Sequence, residues 1–478
     1  MAGLRGVVIS GSEDVDDPRR TLSRRQRTSL VVLFVLAASV RLWALWAIGD
    51  VTKLHGDEGY YIDAAHSLAR GAGYPGSMRP PGFPFFAAGV FRATTESLQA
   101  LRVAQIALSL VGLWFFFDLL RRRFGARPAL ISSAIVAFHP TLIHYTHFLW
   151  AENLVTTLLL AALWALDRWD ATARRTWIVV AGLALGALIL TREMALYFVP
   201  FAGAWMLRRD TRRSMRDRLK DVVLLAVIVA AVVLPWTARN YTRHHRFVLV
   251  GTIRWFAMAE GNLLPDSNWI FAASESIRPF HIAYFAIPDE LQREAFARDL
   301  ALRAIGRDQP AWIFKKVIRN VYLLFTPSRT QLTRFVHRGW LAPGSDVLAR
   351  RLVLIEAAFY VVSLSVGVAA LCLVPDARLK SLVVILLLLF LSIYIVSAAN
   401  HRYRTPLLPL FALYIGPLVC GYSARDRTGA RDVWRQWCQW SSSRCLVLQA
   451  SRWTPDSPDR PVVVGDRSGS CRSASLQT

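Results

Sequence analysis

Two carboxylates stand side by side at Asp57-Glu58, in the stretch His55-Gly56-Asp57-Glu58-Gly59-Tyr60-Tyr61, just past the apolar run Leu30–Ile48. A cationic proline turn follows at Arg79-Pro80-Pro81-Gly82-Phe83-Pro84. An ionised carboxylate at a membrane surface can take a proton from an attacking hydroxyl or hold a divalent metal. A guanidinium held at the same level by two prolines, each with a fixed φ, can fork onto a phosphate. Each motif also has an ordinary reading. Asp57 can cap a helix from Glu58 to Arg70 closed by Gly71, with Glu58 as a first-turn stabiliser, and Arg79 can simply meet lipid headgroups.

Further candidates lie along the chain. Glu152 falls early in an apolar run, after His144-Tyr145-Thr146-His147-Phe148-Leu149-Trp150-Ala151. An acid at the centre of a membrane helix costs ~2.5–3.5 kcal/mol, and less near an end, so Glu152 should face the protein interior or a wet cavity. Arg41 and Arg102 are its expected partners if its role is structural. Thr191-Arg192-Glu193 reads as a loop with a local ion pair. Pro235-Trp236-Thr237-Ala238-Arg239-Asn240-Tyr241 closes a span with a belt tryptophan and a cation. Asn400-His401-Arg402-Tyr403-Arg404-Thr405-Pro406 puts two arginines between span ends, as a lipid anchor or a phosphate site. His139, His144 and His147 lack ligand spacing and read as interfacial. The five cysteines, Cys372, Cys420, Cys438, Cys445 and Cys471, contain no CxxC pair and read as free thiols.

The elements that position these residues follow from composition. The chain has 478 residues, 54% of them hydrophobic, and a mean hydropathy of +0.33. Several runs reach the ~18 residues needed to cross ~30 Å of hydrocarbon. The fold class is an all-α polytopic membrane protein with about ten transmembrane helices, expected at 29–48, 99–120, 128–146, 149–166, 177–190, 194–207, 222–238, 352–373, 380–398 and 404–421. The first run is too long for a signal-peptide core, so it reads as an uncleaved helix. The net charge of +24 sits largely in arginine clusters beside apolar runs. That is an orientation and headgroup signal and argues against nucleic acid.

Sidedness comes from the short loops. Arg121 to Arg127 holds four cations and no acid, and Arg208 to Asp221 holds seven cations. Arg174-Arg175 and Arg378/Lys380 mark two more basic loops. Counting from a cytoplasmic N-terminus puts all four inside. The chain divides into a basic segment 1–28, a membrane domain 29–421 with outer loops 49–98 and 239–351, and a tail 422–478 expected to be disordered. Residues 310–325 alternate apolar and basic residues and read as an interfacial helix or an eleventh span. On this count Asp57, Glu58, Arg79, Glu152, Arg239, Arg402 and Arg404 all share the outer face.

That order and sidedness resemble the C-class membrane glycosyltransferases, and in particular the branch of dolichyl-phosphate-mannose–protein mannosyltransferases and bacterial aminoarabinose transferases. The resemblance covers roughly 29–421. It implies juxtamembrane helices in the first outer loop, a polyprenyl-phosphate sugar donor and inverting transfer to a hydroxyl of a glycan, lipid or protein outside the cytoplasm of a plasma membrane. Asp57 matches the family's catalytic carboxylate, Glu58 its neighbour and Glu152 an acid early in the fourth span. Arg79 matches a cation before the double proline, and Arg402 and Arg404 the cationic end of the last outer loop. With Arg239, these arginines form the expected donor-phosphate site. Asp57-Glu58 would be able to hold Mg²⁺ or Mn²⁺, although the branch resembled has no general need of one. No separate C-terminal soluble domain is evident, so acceptor recognition is expected from 239–351 or a partner. A transporter or flippase of lipid-linked sugars, and a ligase or polymerase of lipid-linked glycans, are the competing readings. The lack of internal repeats counts against the transporter.

Overall fold

The computed structural model describes residues 22–48, 54, 56–208, 213–263, 274–307, 309–327 and 346–422. The tail, with Cys438, Cys445 and Cys471, and the first 21 residues lie outside them. The described residues are helical, with no strand among them. Helix α1 (Arg24–Ile48) starts at a capping box in which the Ser23 and Gln26 side chains each accept from the other's backbone N–H. Two short helices, α2 (Asp57–Ala69) and α3 (Gly82–Ala93), follow in the first predicted outer loop. Next comes α4 (Leu98–Phe124), capped by Ser97 and ending in Arg121-Arg122-Arg123, where cations suit the negative end of the helix dipole.

The third predicted span is broken into α5 (Ala126–Ala137) and α6 (Pro140–Tyr145). Then come α7 (Glu152–Thr172), α8 (Thr176–Thr191), a 3-10 turn (Glu193–Tyr197) leading into α9 (Phe198–Met206), and α10 (Met215–His244). The segment beyond α10 carries α11 (Arg254–Asn262), α12 (Ser274–Ala286), α13 (Glu290–Arg307) and α14 (Ala311–Phe325). Two long helices, α15 (Asp346–Leu373) and α16 (Ala377–Val396), precede a 3-10 segment (His401–Leu407) and the short α17 (Leu408–Ala412) and α18 (Ile415–Val419).

Among the described residues five helices are long and apolar enough to cross a membrane: α1 through Ala47, α4, α10, α15 from Arg350, and α16. The other predicted spans form shorter, interrupted or more charged helices. Helix α7 is apolar nearly all round and buried along most of its length, as expected of a helix enclosed by others. It packs between α4 and α8. Small residues let backbones approach in this core: Gly182 and Gly186 of α8 lie against Ile228 and Val232 of α10.

At the end where the charge pattern predicts cytoplasm, the basic loops also staple helices together. Arg123 reaches Asp167 at 2.6 Å and Asp376 at 3.3 Å, and Asp221 takes Arg175 at 2.9 Å and Arg213 at 3.3 Å.

At the opposite end, α11, α12 and α13 form a small apolar core of their own. Phe256, Ile277, Phe280, Tyr284, Ala297 and Ala301 pack there around Met78, the residue before Arg79.

Helix α14 has 15 residues and is about 22 Å long, too short to cross upright. It buries Lys316, Asn320 and Leu324 and turns Phe314, Ile318 and Tyr322 outward.

Candidate functional site

The site is built from loops that meet where α2 and α7 begin and α8 and α16 end. Residues 70–81 carry Arg79, and this loop is clamped from two sides. Arg239 of α10 donates to the carbonyls of Tyr74 (2.6 Å) and Gly76 (2.8 Å) and to Ser77 Oγ (2.8 Å). Glu290 of α13 accepts from the Ser77 N–H at 2.8 Å, and the Ser77 carbonyl accepts from Thr252 N at 3.0 Å. Trp236 is not a belt residue. It is buried, donates to the Val250 carbonyl at 2.8 Å and packs edge-on against Tyr74 and Phe85. The prolines at 80 and 81 then lead into α3. Gly82 lets that helix start against α8: a Cβ there would stand 2.2 Å from Thr191 Oγ1 and 2.9 Å from its backbone.

Five charged side chains form one continuous line across these loops. Arg79 Nη2 donates to Asp57 Oδ1 at 2.5 Å, and Arg402 Nη1 donates to Asp57 Oδ2 at 2.8 Å. The same Arg402 guanidinium gives its Nε–H to Glu152 Oε1 at 2.5 Å, and Arg192 Nη2 reaches that oxygen at 2.9 Å. Asn400 caps the turn that delivers Arg402 by accepting from its backbone N–H. Aromatic faces hold the arginines: Arg402 lies 4.4 Å from the Trp150 ring centre, Arg192 5.3 Å from Tyr403, and Arg79 5.5 Å from Tyr60. Burial works to raise the Asp57 carboxyl, but Arg402 and Arg79 outweigh it and hold the group below its ordinary range.

Several sequence readings change here. Asp57 is not a helix cap. Gly56 occupies that position with φ of 58°, and Asp57 opens α2 with both carboxylate oxygens on arginines. Two guanidiniums outcompete a backbone N–H for a carboxylate. Glu152 is fully buried and pairs with Arg192 and Arg402 rather than with Arg41 or Arg102. Arg192 and Glu193 do not form a local pair, since Glu193 goes to Arg254. Glu58, in the first turn of α2, is buried and accepts from the Leu149 N–H at 3.2 Å.

Two arginines expected on a phosphate are engaged elsewhere. Arg239 holds the 74–77 loop, and Arg404 donates to the Leu324 and Thr326 carbonyls at 2.5 and 2.6 Å, closing the C-terminus of α14. Both sit where backbone carbonyls need donors, a demand that a sequence does not display. The three histidines are buried rather than interfacial.

Arg192 is the site residue that sequence reasoning left out. The available signal was a cation in a break between two apolar runs on the same predicted face.

Among the described residues no group of three or more His, Cys, Asp or Glu converges as a metal site. Asp57 and Glu58 do not converge either, one facing guanidiniums and the other the α7 entry. The pair therefore does not fit a divalent ion. The arrangement offers instead three guanidiniums against two carboxylates, a net positive cluster suited to a phosphate.

Residues 78–236 match the family model described as dolichyl-phosphate-mannose-protein mannosyltransferase. This bears out the resemblance to C-class membrane glycosyltransferases. The matched span includes Arg79, Glu152 and Arg192 and stops short of Arg402.

Among solved structures, the apo oligosaccharyltransferase of Archaeoglobus fulgidus is 12% identical, covers 89% of this chain and 54% of its own, and superposes with a TM-score of 0.52. That likeness shows a shared fold. ArnT of Cupriavidus metallidurans bound to undecaprenyl phosphate is 17% identical over 82% of this chain and 78% of its own, at a TM-score of 0.41. The S. cerevisiae Pmt1-Pmt2 protein O-mannosyltransferase complex bound to the sugar donor is 17% identical over 48% of this chain and 35% of its own, also at 0.41. The chain thus spans about half the length of the archaeal protein and about a third of the yeast one. No curated protein sequence matches.

Proposed function

We propose that this chain is an integral-membrane glycosyltransferase that moves a sugar from a polyprenyl-phosphate donor to a hydroxyl acceptor at the extracytoplasmic face, with inversion. The observation that carries the reading is the line Arg79–Asp57–Arg402–Glu152–Arg192. A donor phosphate competes with the carboxylates for the guanidinium forks. As it binds, it draws Arg79 and Arg402 away from Asp57 and leaves that carboxylate free to accept a proton or orient a hydroxyl. The acceptor oxygen then bonds to the anomeric carbon from the side opposite the phosphate. The carbon–oxygen bond to the phosphate breaks with its electron pair on the departing oxygen, where the arginines neutralise it. Because the arginines supply this positive charge, the reaction needs no divalent metal.

Purified protein reconstituted in sealed lipid vesicles with a radiolabelled polyprenyl-phosphate sugar tests the reading. Label should move to a hydroxyl acceptor with inverted anomeric configuration. Label that crosses the membrane with its glycosidic bond intact would instead mark a transporter.

A further inference from the structure

Glu260 and His281 form a pair that the donor site does not use. Glu260 Oε1 lies 3.1 Å from His281 Nε2, joining α11 to α12, and both side chains are about a third exposed, at 36% and 35%. The His281 ring stacks on Phe256 at 5.4 Å and 21°. One turn further along α12, Phe285 is 54% exposed, with its ring 5.9 Å from Phe256.

Helix α11 is held against every loop that supplies an arginine to the donor site. Its first residue, Arg254, pairs with Glu193 beside Arg192. At its other end, Gly261 abuts the Ser397 carbonyl and Asn262 donates to the Val396 carbonyl, just ahead of Arg402. Phe256 shares an apolar core with Met78, next to Arg79. Glu260 is correspondingly within electrostatic reach of Asp57 and Arg79, and Tyr403 senses Glu260 in turn.

The chemistry of this patch differs from that of the arginine line. A carboxylate and an imidazole offer acceptors and a donor to vicinal hydroxyls, and aromatic rings offer flat apolar faces to the C–H face of a sugar ring. An anion would be repelled by Glu260.

We propose that Glu260, His281 and Phe285 form an acceptor subsite for a neutral carbohydrate, which it presents to the donor sugar over Asp57. The proposal rests on reading the arginine line as the donor site.

Binding to the full chain in lipid nanodiscs tests it. The probes are neutral trisaccharides of mannose, galactose and arabinose, a Ser/Thr-rich peptide, and polyprenyl phosphate. The wild type should bind a trisaccharide. Glu260→Gln should weaken that binding about tenfold or more, and Phe285→Ala about threefold. Both variants should keep wild-type affinity for polyprenyl phosphate. In transfer assays the loss should appear mainly in the acceptor KM. Unchanged trisaccharide affinity in Glu260→Gln overturns the subsite, as does a wild type that binds the peptide and no trisaccharide. A parallel loss of polyprenyl-phosphate affinity overturns it too, because the pair would then be structural. Trisaccharide binding that behaves as expected, with no sugar transferred from any polyprenyl-phosphate donor, would uphold the subsite and remove the donor reading.

Discussion

Arg402 binds two carboxylates at once, Asp57 through Nη1 and Glu152 through Nε. A lysine has one point charge and no planar fork, so it cannot reproduce both bonds. Arg402→Lys should therefore cut transfer by about 10²–10³-fold, close to the effect of Arg402→Ala, because either loses a preorganised charge-stabilising group. Single-turnover rates on the two variants check this, and a lysine variant near wild type would mean that charge alone suffices. Asp57→Asn keeps the shape but loses the proton acceptor. It should remove ~3–4 kcal/mol of transition-state stabilisation, lowering transfer by about 10²–10³-fold while the protein still inserts and folds. A chelator should leave the wild-type rate unchanged, since Arg79, Arg192 and Arg402 supply the positive charge that meets the leaving phosphate; loss of activity restored by Mg²⁺ or Mn²⁺ would refute this. At this scale the sequence was legible for residues whose type and predicted depth were unusual together, as with Asp57, Glu152 and Arg402. It was illegible for partners. Arg192 and Glu152 are 40 residues apart and Arg402 and Asp57 are 345 apart, and nothing local in the chain announces either pair.

The elements hold these residues through close approaches with little slack. Alanine at Gly82 would put a Cβ into the Thr191 backbone, pushing α3 from α8 and moving Arg79 and Arg192 together. Gly82→Ala should cost about 1–3 kcal/mol of stability and lower transfer, with lost polyprenyl-phosphate affinity as the readout. In the α11–α13 unit, burial pushes the Glu294 carboxyl up to about 7 against the pull of the Trp255 N–H and Arg254. A carboxyl with a raised folded pKa favours the folded state most below its unfolded value of ~4.3. That contribution falls away as pH rises toward 7. The unit should lose about 1–2 kcal/mol over that window, a figure discounted for partial exposure. Glu294→Gln should flatten the loss, as read by proteolysis or hydrogen exchange of 254–307 across pH 5–8. Apolar run length made α1, α4, α10, α15 and α16 legible, because hydrocarbon thickness dictates it. The break between α5 and α6 and the fate of 310–325 were not legible. A helix that stops at membrane level needs its last carbonyls satisfied, and the donor for α14 is Arg404, about 80 residues away.

On the scale of the whole molecule, two charged layers close the ends of an apolar bundle. One is the arginine–carboxylate line at the site. The other is the set of arginine–aspartate staples that join α4, α7, α8, α10 and α16 at the opposite end. The staples change the meaning of the basic loops. Under the charge rule Arg123 and Arg175 would keep their loops in the cytoplasm, and they also bind helices whose carboxylates would otherwise be buried alone. If the charge rule governs here, α11–α13 and the donor site face away from the cytoplasm and the staples face into it. Single cysteines placed at the exposed Phe247 and Arg174, in a chain whose native cysteines are replaced, separate the two ends. A membrane-impermeant maleimide added to intact cells should label Phe247→Cys at once and Arg174→Cys only after permeabilisation. The reverse pattern would place the arginine line on the cytoplasmic side. The extracytoplasmic reading would then fall while the chemistry of the site survived.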